Sequence, residues 1–404
     1  MNILHIDKFL DPSAIETHGG TCTVVRTVSA LQQNAGHKVF EFYPRIDGES
    51  ADLPAFVDYS QGRWWDTWRM IHNSRCASKL TNMLRHVKLD VAHLHSIYHH
   101  LTPSILPVLS QAGVAIVMTL HDYRMACPTQ SFYRQGTYCT RCHPNRFYHA
   151  ASPSCASWRG IALAVESYVQ RLARRYFRYV DFFICPSVYL AQVLGQTGAP
   201  TSKIVHIPNP VRRMRVDSIQ STEPMLLFAG RLVPQKDPLI LLDLAQQMPH
   251  LKIVIAGSGP MLDDLKLKAS QLGLTNVMLP GQVDTTTLAR CLGQCHALIL
   301  PSTCYENSPL SMLEAMSAGR CVIAADQPSL RQWIKDGATG RLFEAGNVRS
   351  LKRVVTEVLR DVNARDAMAD AARGLVRQCH NDKAVLDQVM KVYSLAINRR
   401  RWRE

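Results

Sequence analysis

The chain has 404 residues, 47% hydrophobic and 19% charged, a balance that supplies buried cores and excludes an intrinsically disordered chain. Its length fits two or three domains of roughly 150 residues, and no run of about 18 uninterrupted apolar residues occurs, which excludes an ordinary transmembrane helix. The 46 Lys and Arg against 32 Asp and Glu give a formal charge of +14, carried as +7 before Pro210 (20 against 13) and +7 after it (26 against 19), an excess that favours nucleic acid, phosphorylated ligands or an anionic membrane surface without choosing among them.

In chain order, Asn2–Asp7 reads as a strand, the Gly19-Gly20 pair as a turn, and Thr21 to about Asn34 as a helix. Further strands are expected at Lys38–Tyr43, Val91–Leu94, Val114–Leu120 and Phe182–Cys185. The connector 207–224 holds Pro208, Asn209, Pro210 and Pro224, after which strands resume at Met225–Ala229, Lys252–Ala256, Val277–Leu279, Ala297–Leu300 and Cys321–Ala324. Short apolar runs alternating with longer amphipathic stretches predict α/β architecture. Two Rossmann-like, doubly wound parallel sheets would face a central cleft at the C-terminal ends of their strands. The expected boundaries are 1–209 for the first domain, 210–224 for the linker and 225–382 for the second. A last helix over about 383–400 either completes the second domain or crosses back to the first.

The start, MNILHIDKFLDPS, enters a strand-like run at once, so no secretory signal is expected. Its 12 cysteines are too dilute for a disulfide scaffold and are expected as reduced thiols. The expected location is the cytoplasm, free or peripheral on the inner face of the membrane.

Two loops of the second half carry the densest chemistry. After Met225–Ala229 comes Gly230-Arg231-Leu232-Val233-Pro234-Gln235-Lys236-Asp237, in which a planar guanidinium and a point-charge ammonium five residues apart can reach one anion. Alone, that segment reads as a solvated loop. After Ala297–Leu300, Ser308-Pro309 reads as a helix start with proline at the first helical position. The freed amides of Ser308, Leu310 and Ser311 then suit an anion. Glu306 precedes this helix and Glu314 lies inside it; a carboxylate there is either a dipole partner or a ligand to hydroxyls. Two carboxylates flanking open amides, beside a basic loop, are best explained by a phosphorylated, hydroxyl-rich ligand.

These residues resemble the retaining glycosyltransferases of family 4, with the GT-B fold. The resemblance rests on Glu306 and Glu314 within ENSPLSMLEAMSAG and on AGRLVPQKD at 229–237. It extends to Gly19-Gly20, HDY at 121–123, IPN at 207–209 and AGSGP at 256–260. It departs where Asn209-Pro210 replaces the Asn-Gly common in such proteins, and where Asn307-Ser308 replaces a pair such as Gly-Phe. The resemblance implies that Arg231 and Lys236 hold the donor diphosphate and neutralise its leaving charge. Glu314 would accept hydrogen bonds from the ribose. Glu306 would contact the transferred sugar, with the amides of Asn307, Ser308, Pro309 and Leu310 lining sugar and phosphate. The nucleotide base would lie near Gly281–Val283. Gly19 and Gly20 would let the first-domain loop approach the diphosphate, and His121 would face the sugar. The implied enzyme is a retaining, metal-independent hexosyltransferase acting on a UDP- or GDP-sugar, with a saccharide or lipid-linked acceptor in polysaccharide or glycolipid assembly. A nucleotide-sugar 2-epimerase of the same fold and a basic, non-catalytic polyanion-binding protein are the alternatives. No nucleic-acid motif is present.

Cys127, Cys139, Cys142 and Cys155 read either as a structural zinc site ordering a long loop or as four separate thiols. Helical periodicity over Arg159–Tyr179 puts Ile161, Val165, Tyr168, Val169, Leu172 and Tyr176 on one face, with Arg171, Arg174, Arg175 and Arg178 on the other. Trp64, Trp65 and Trp68 lie between Arg63 and Arg69. Both stretches read as interfacial elements for anionic lipid or as ordinary packed helices.

Overall fold

The computed structural model describes residues 1–11, 19–45, 50, 53–54, 66–173, 175–214, 216 and 223–402. Trp64, Trp65 and Arg174 lie outside these residues, as does most of the second half of the expected linker. The chain divides into two compact units, one of Met1–Gln130, Thr140–Pro210 and Asp382–Glu404, the other of Ser131–Cys139 and Val211–Asn381.

In chain order the elements up to residue 206 are β1 (Asn2–Ile6), α1 (Gly19–Asn34), β2 (Lys38–Phe42), α2 (Asp66–Ile71), α3 (Ser74–His86), β3 (Val91–Leu94), α4 (Ile105–Gln111), β4 (Ala115–Thr119), β5 (Tyr133–Arg134), β6 (Thr137–Tyr138), α5 (Pro153–Leu172), α6 (Arg175–Tyr179), β7 (Phe182–Cys185), α7 (Val188–Gln196) and β8 (Ile204–His206). The first unit is a parallel sheet in the order β2-β1-β3-β4-β7-β8. Its central strands are buried along their whole length, as expected of a sheet covered on both faces.

The following elements are β9 (Met225–Ala229), α8 (Leu239–Gln247), β10 (Lys252–Ala256), α9 (Leu262–Gln271), β11 (Val277–Gly281), α10 (Thr285–Gln294), β12 (Ala297–Leu300), α11 (Leu310–Ser317), β13 (Cys321–Ala325), β14 (Arg341–Phe343), α12 (Val348–Arg360), α13 (Val362–Cys379) and α14 (Asp382–Arg401). The second unit's sheet runs β11-β10-β9-β12-β13-β14, all parallel. Its order reverses between β9 and β12, the point at which a doubly wound sheet opens a crevice at its C-terminal edge. Each face buries its own core, one built on Leu226, Phe228, Ile253 and Ile255 and the other on Leu227, Val254, Leu298 and Leu300.

Helix α14 packs Val385, Val389, Val392, Tyr393 and Ala396 against Ile3, Val91, Ala115 and Val117, so the chain's last helix completes the first sheet. Arg400 fastens it, donating to Asp181 (2.8 Å), Ser110 Oγ (2.8 Å) and the Tyr179 carbonyl (2.7 Å). The first of these contacts pairs the guanidinium with an Asp181 carboxylate that has no solvent exposure.

Three expectations are corrected. The helix expected over 159–179 is two, α5 and α6. Moreover, part of the expected apolar face turns outward: Ile161, Val165 and Leu172 are 57%, 45% and 81% exposed, whereas Tyr168 packs against Phe147 and Tyr176 is buried. The buried positions of α5 carry Glu166, Ser167 and Gln170 as well as Ala164. Of these, Glu166 forms a buried ion pair with Arg124 and Gln170 donates to the Ile71 carbonyl (3.1 Å). The first domain is not continuous to 209 either, since the β5–β6 hairpin belongs to the second unit.

Candidate functional site

The loops leaving β9 and β10 are laced together by their backbones. Gly230 N donates to the Ala256 carbonyl (3.0 Å), Leu232 N to that of Ser258 (2.8 Å), and Met261 N to that of Leu232 (3.1 Å). This approach is possible only because Gly257 and Gly259 lack side chains. Their φ values are +148° and +151°, and a Cβ would stand 1.8 Å from the Gly230 oxygen and 2.4 Å from the Leu232 oxygen, respectively. The AGSGP segment is therefore a structural partner of AGRLVPQKD. From this base a one-turn 3-10 helix, Pro234–Lys236, is closed by Asp237 in the left-handed region (φ +45°). It delivers the Lys236 ammonium to the Glu306 carboxylate.

Glu306 sits in the loop after β12, only 7% exposed. One of its oxygens accepts from both Lys236 Nζ and Ser302 Oγ. Its own N–H donates to Gln327 Oε1 (2.7 Å), which also accepts from Ser329 Oγ (2.9 Å). Thr303 N donates to the Gln235 carbonyl (2.9 Å), tying this loop to the one after β9. Burial pushes the Cys304 thiol up to about 12, the Glu306 charge adds to the rise, and Lys236 and Arg231 oppose it. Three of the expected charges thus lie within electrostatic reach of one buried thiol. Arg231 itself is exposed.

Four buried polar atoms have no hydrogen-bond partner among the described residues here: Gln235 Oε1, Thr303 Oγ1, Ser308 Oγ and Gln327 Nε2. Buried polar atoms are ordinarily paired, so a cluster of orphans beside an ion pair marks a place for a polar ligand. Helix α11 begins at Leu310 without a side-chain cap, so its first-turn amides have no intrahelical acceptor. Pro309 is the N-cap (ψ 113°) rather than the first helical residue, and Leu313 N is the first amide to reach back, to the Pro309 carbonyl (3.2 Å). Asn307 is buried, while Ser308, Pro309 and Leu310 are half-buried. Glu314 is half-buried in α11; burial raises its pKa to about 7, and Arg212 pulls in the opposite direction. Val283 lies between β11 and α10, after a turn in which Gly281 has φ +75°.

The second unit therefore carries Arg231, Lys236, Val283, Glu306, Asn307, Ser308, Pro309, Leu310 and Glu314 at or just beyond the C-terminal ends of β9, β11 and β12. Gly19, Gly20 and His121 belong to the first unit. The glycines are exposed and begin α1, two residues before the expected helix start. His121 follows β4 and meets His95 Nδ1 through Nε2 (3.0 Å).

Sequence reasoning missed Ser302 and Gln327, which are plain polar residues in plain loops. It also missed the β5–β6 hairpin, whose Tyr138 donates to the Ser302 carbonyl (3.1 Å) and packs its ring 5.0 Å from that of Tyr305. A signal for the hairpin existed: Gln135-Gly136, both with positive φ (47° and 82°), is a two-residue turn between alternating residues. Among the described residues no three of the expected zinc ligands Cys127, Cys139, Cys142 and Cys155 have their sulfurs within 4.8 Å of one another. Cys142 and Cys155 join an apolar cluster with Phe147, Ala150 and Ala164. Cys127 Sγ lies 3.3 Å from Thr129 Oγ1, and Cys139 goes with the other unit. Among the described residues the group of three side chains whose ligand atoms lie within 4.8 Å of one another is His5, His93 and His95. No helix among the described residues is long and apolar enough to cross a membrane.

Residues 18–215 match the model of Glycosyltransferase Family 4, and residues 212–404 that of Glycosyl transferases group 1. A phosphatidyl-myo-inositol mannosyltransferase of Mycobacterium leprae is 29% identical over 213 residues, covering 49% of this chain and 55% of that protein. An uncharacterised glycosyltransferase of Methanocaldococcus jannaschii is 31% identical over 186 residues, covering 44% and 47%. The chain thus spans about half the length of the curated relatives it matches. Among solved structures, sucrose-phosphate synthase of Thermosynechococcus elongatus superposes with a TM-score of 0.76 at 17% identity, covering 98% of each chain. Anabaena HepE, crystallised with UDP and glucose, gives 0.66 at 16% identity, covering 97% of this chain and 99% of that one.

Proposed function

Because the chain belongs to the group 1 glycosyltransferases of family 4 and has the GT-B fold, we propose that it moves a hexose from a UDP- or GDP-sugar to a saccharide or lipid-linked acceptor, with retention of configuration. The observation that carries this reading is the Lys236–Glu306 pair beside four partnerless buried polar atoms, at the point where the second sheet reverses its strand order. Arg231 and Lys236 take the diphosphate and stabilise the charge that grows as the bond from the sugar's anomeric carbon to phosphate oxygen breaks. The acceptor oxygen bonds to that carbon on the same face, and its proton passes to the departing phosphate. With two cations on the leaving group, no divalent ion is required, so transfer is expected to survive a chelator. Glu306, Asn307, Ser308, Pro309 and Leu310 line the sugar and phosphate, Glu314 takes the ribose diol, and the base rests near Val283. The family resemblance also gives Gly19, Gly20 and His121 a part in donor binding.

Screening UDP, GDP, ADP and their sugars by thermal shift tests the reading, since a ligand that binds only the folded state stabilises it by mass action, about 2.7 kcal/mol at a hundredfold excess over Kd. No shift with any nucleotide or nucleotide-sugar would remove it. Glu314 adds a signature. With its pKa raised to about 7, it is half-protonated near neutrality, whereas a diol donating to it favours the carboxylate. Donor binding should then release a proton, and affinity should rise as pH climbs from below 7 to above it. Calorimetry in buffers of different ionisation enthalpy should detect the proton, and Glu314→Gln should abolish both its release and the pH slope.

The lipid-linked acceptor is supported by the outward Ile161, Val165 and Leu172 of α5, with exposed Trp68 on the neighbouring α2 and Arg69 and Arg178 also exposed. Arg171 and Arg175 are half-buried. Exposed apolar residues beside basic ones suit an anionic membrane surface. Burying one leucine is worth about 1.5–3 kcal/mol, so Leu172→Asp should weaken binding to anionic vesicles at low salt by roughly tenfold or more. Wild-type protein that ignores such vesicles would eliminate the membrane assignment.

A further inference from the structure

We infer that Gln32, His5 and His95 form a hydrogen-bonded relay that fixes which ring nitrogen of His121 carries its proton, leaving His121 Nδ1 as a hydrogen-bond acceptor. The consequence for catalysis rests on the role proposed above for His121; the proton register itself does not.

The residues come from neighbouring elements of the first unit. His5 lies on β1 and His93 on β3, paired in register; Thr119 ends β4; Gln32 belongs to α1 and Tyr393 to α14. Gln32, His5, His93, His95 and Tyr393 are all buried. Gln32 Oε1 lies 2.8 Å from His5 Nε2, His5 Nδ1 lies 3.0 Å from His95 Nε2, and His95 Nδ1 lies 3.0 Å from His121 Nε2. A second branch runs from Gln32 Nε2 to the Tyr393 hydroxyl (3.0 Å), on to His93 Nδ1 (2.6 Å), and from His93 Nε2 to Thr119 Oγ1 (2.7 Å).

A neutral imidazole has one donor nitrogen and one acceptor, and an amide oxygen only accepts. Burial holds these rings neutral: it lowers His5 and His121 to about 4 and His93 and His95 well below their ordinary value. Gln32 Oε1 therefore requires the proton of His5 on Nε2. His5 Nδ1 is then bare and accepts from His95 Nε2–H, whose bare Nδ1 accepts from His121 Nε2–H. What remains, at the half-buried end of the row, is the lone pair of His121 Nδ1. On the other branch the amide N–H donates to Tyr393, whose hydroxyl donates to His93 Nδ1, and His93 Nε2–H donates to Thr119. Every bond has one proton. Turning the Gln32 amide over would reverse all of them, and the Tyr393 hydroxyl, which can donate or accept, would follow; the register is therefore set by Gln32 presenting Oε1 to His5 and Nε2 to Tyr393. Gln32, His5 and His95 act as positioning residues, and His121 is the ring that meets substrate.

The same three imidazoles His5, His93 and His95 have the proximity of a metal site. A cation between them would need the proton that joins His5 to His95, so metal binding and the relay exclude each other.

The test is long-range proton–nitrogen NMR of the full chain carrying nitrogen-15 histidine at neutral pH, with the His121 and His95 signals identified by substitution. The expected result is Nε2–H on both rings in the wild type, and a mixture of tautomers at His121 in Gln32→Leu. If equal populations result, apparent donor affinity falls roughly twofold through the lost fraction of the competent form. Tyr393→Phe, which leaves the Gln32 amide with His5 as its one relay partner but keeps the ring, should mix the tautomers too and serves if Gln32→Leu does not fold. Wild-type His121 protonated on Nδ1, a tautomer unmoved in both variants, or added zinc that displaces the His5 and His95 ring protons would each overturn the relay. A relay with the expected register in a protein that transfers no sugar would instead count against the proposed activity alone.

Discussion

Lys236→Ala should lower sugar transfer by about 10²–10³-fold, the usual cost of removing one preorganised group that stabilises charge in the transition state. Its ammonium is held in advance by a buried carboxylate, Glu306, which is itself fixed by Ser302 and, through its amide, by Gln327. Preorganisation of this kind is what makes such a group worth more than a mobile surface lysine. The substitution has a second effect, because it strands the Glu306 charge in a buried loop, and unpaired buried charges cost several kcal/mol. Adding Glu306→Gln to Lys236→Ala separates the two. The double variant should recover thermal stability, since no charge is left unpaired, while transfer stays as low as in the single variant. Steady-state kinetics and thermal denaturation of both variants check this. Transfer within tenfold of wild type in Lys236→Ala would remove Lys236 from the site.

An even larger structural effect is expected of Gly257→Ala. The residue's φ of +148° is strained for any L side chain, and its new Cβ would overlap the Gly230 carbonyl at 1.8 Å. Backbone cannot move aside as a flexible side chain can, so the two loops must separate. That breaks the Gly230–Ala256 and Leu232–Ser258 hydrogen bonds and displaces Arg231 and Lys236 together. The expected loss is about 3 kcal/mol or more, at the severe end for single substitutions, accompanied by loss of nucleotide binding. Gly337→Ala is the control: its φ of +76° is also unfavourable, yet a Cβ there meets nothing within 4 Å. It should cost only about 1 kcal/mol and leave nucleotide binding alone. Equal denaturant midpoints for the two variants would refute the interlock.

What the sequence determined by itself was the local and the periodic. Lys252–Ala256 and Ala297–Leu300 were legible as strands because each is a short apolar run that a doubly covered parallel sheet requires. The positions of Arg231, Lys236, Glu306 and Glu314 after β9 and β12 followed from the same local pattern, while the roles given to them rest on the family resemblance. The tertiary structure decided everything that joins distant residues. The Lys236–Glu306 pair spans 70 positions and exists because β9 and β12 are neighbours in the sheet. Helix α14 joins the first sheet although it follows the whole second unit. Ile161, Val165 and Leu172 of α5 point outward while Glu166 of the same helix is buried in an ion pair with Arg124. Periodicity records which residues share a face. Which face is buried, and against what, depends on the free energy of contacts between segments far apart in the chain, and only the folded molecule contains those contacts.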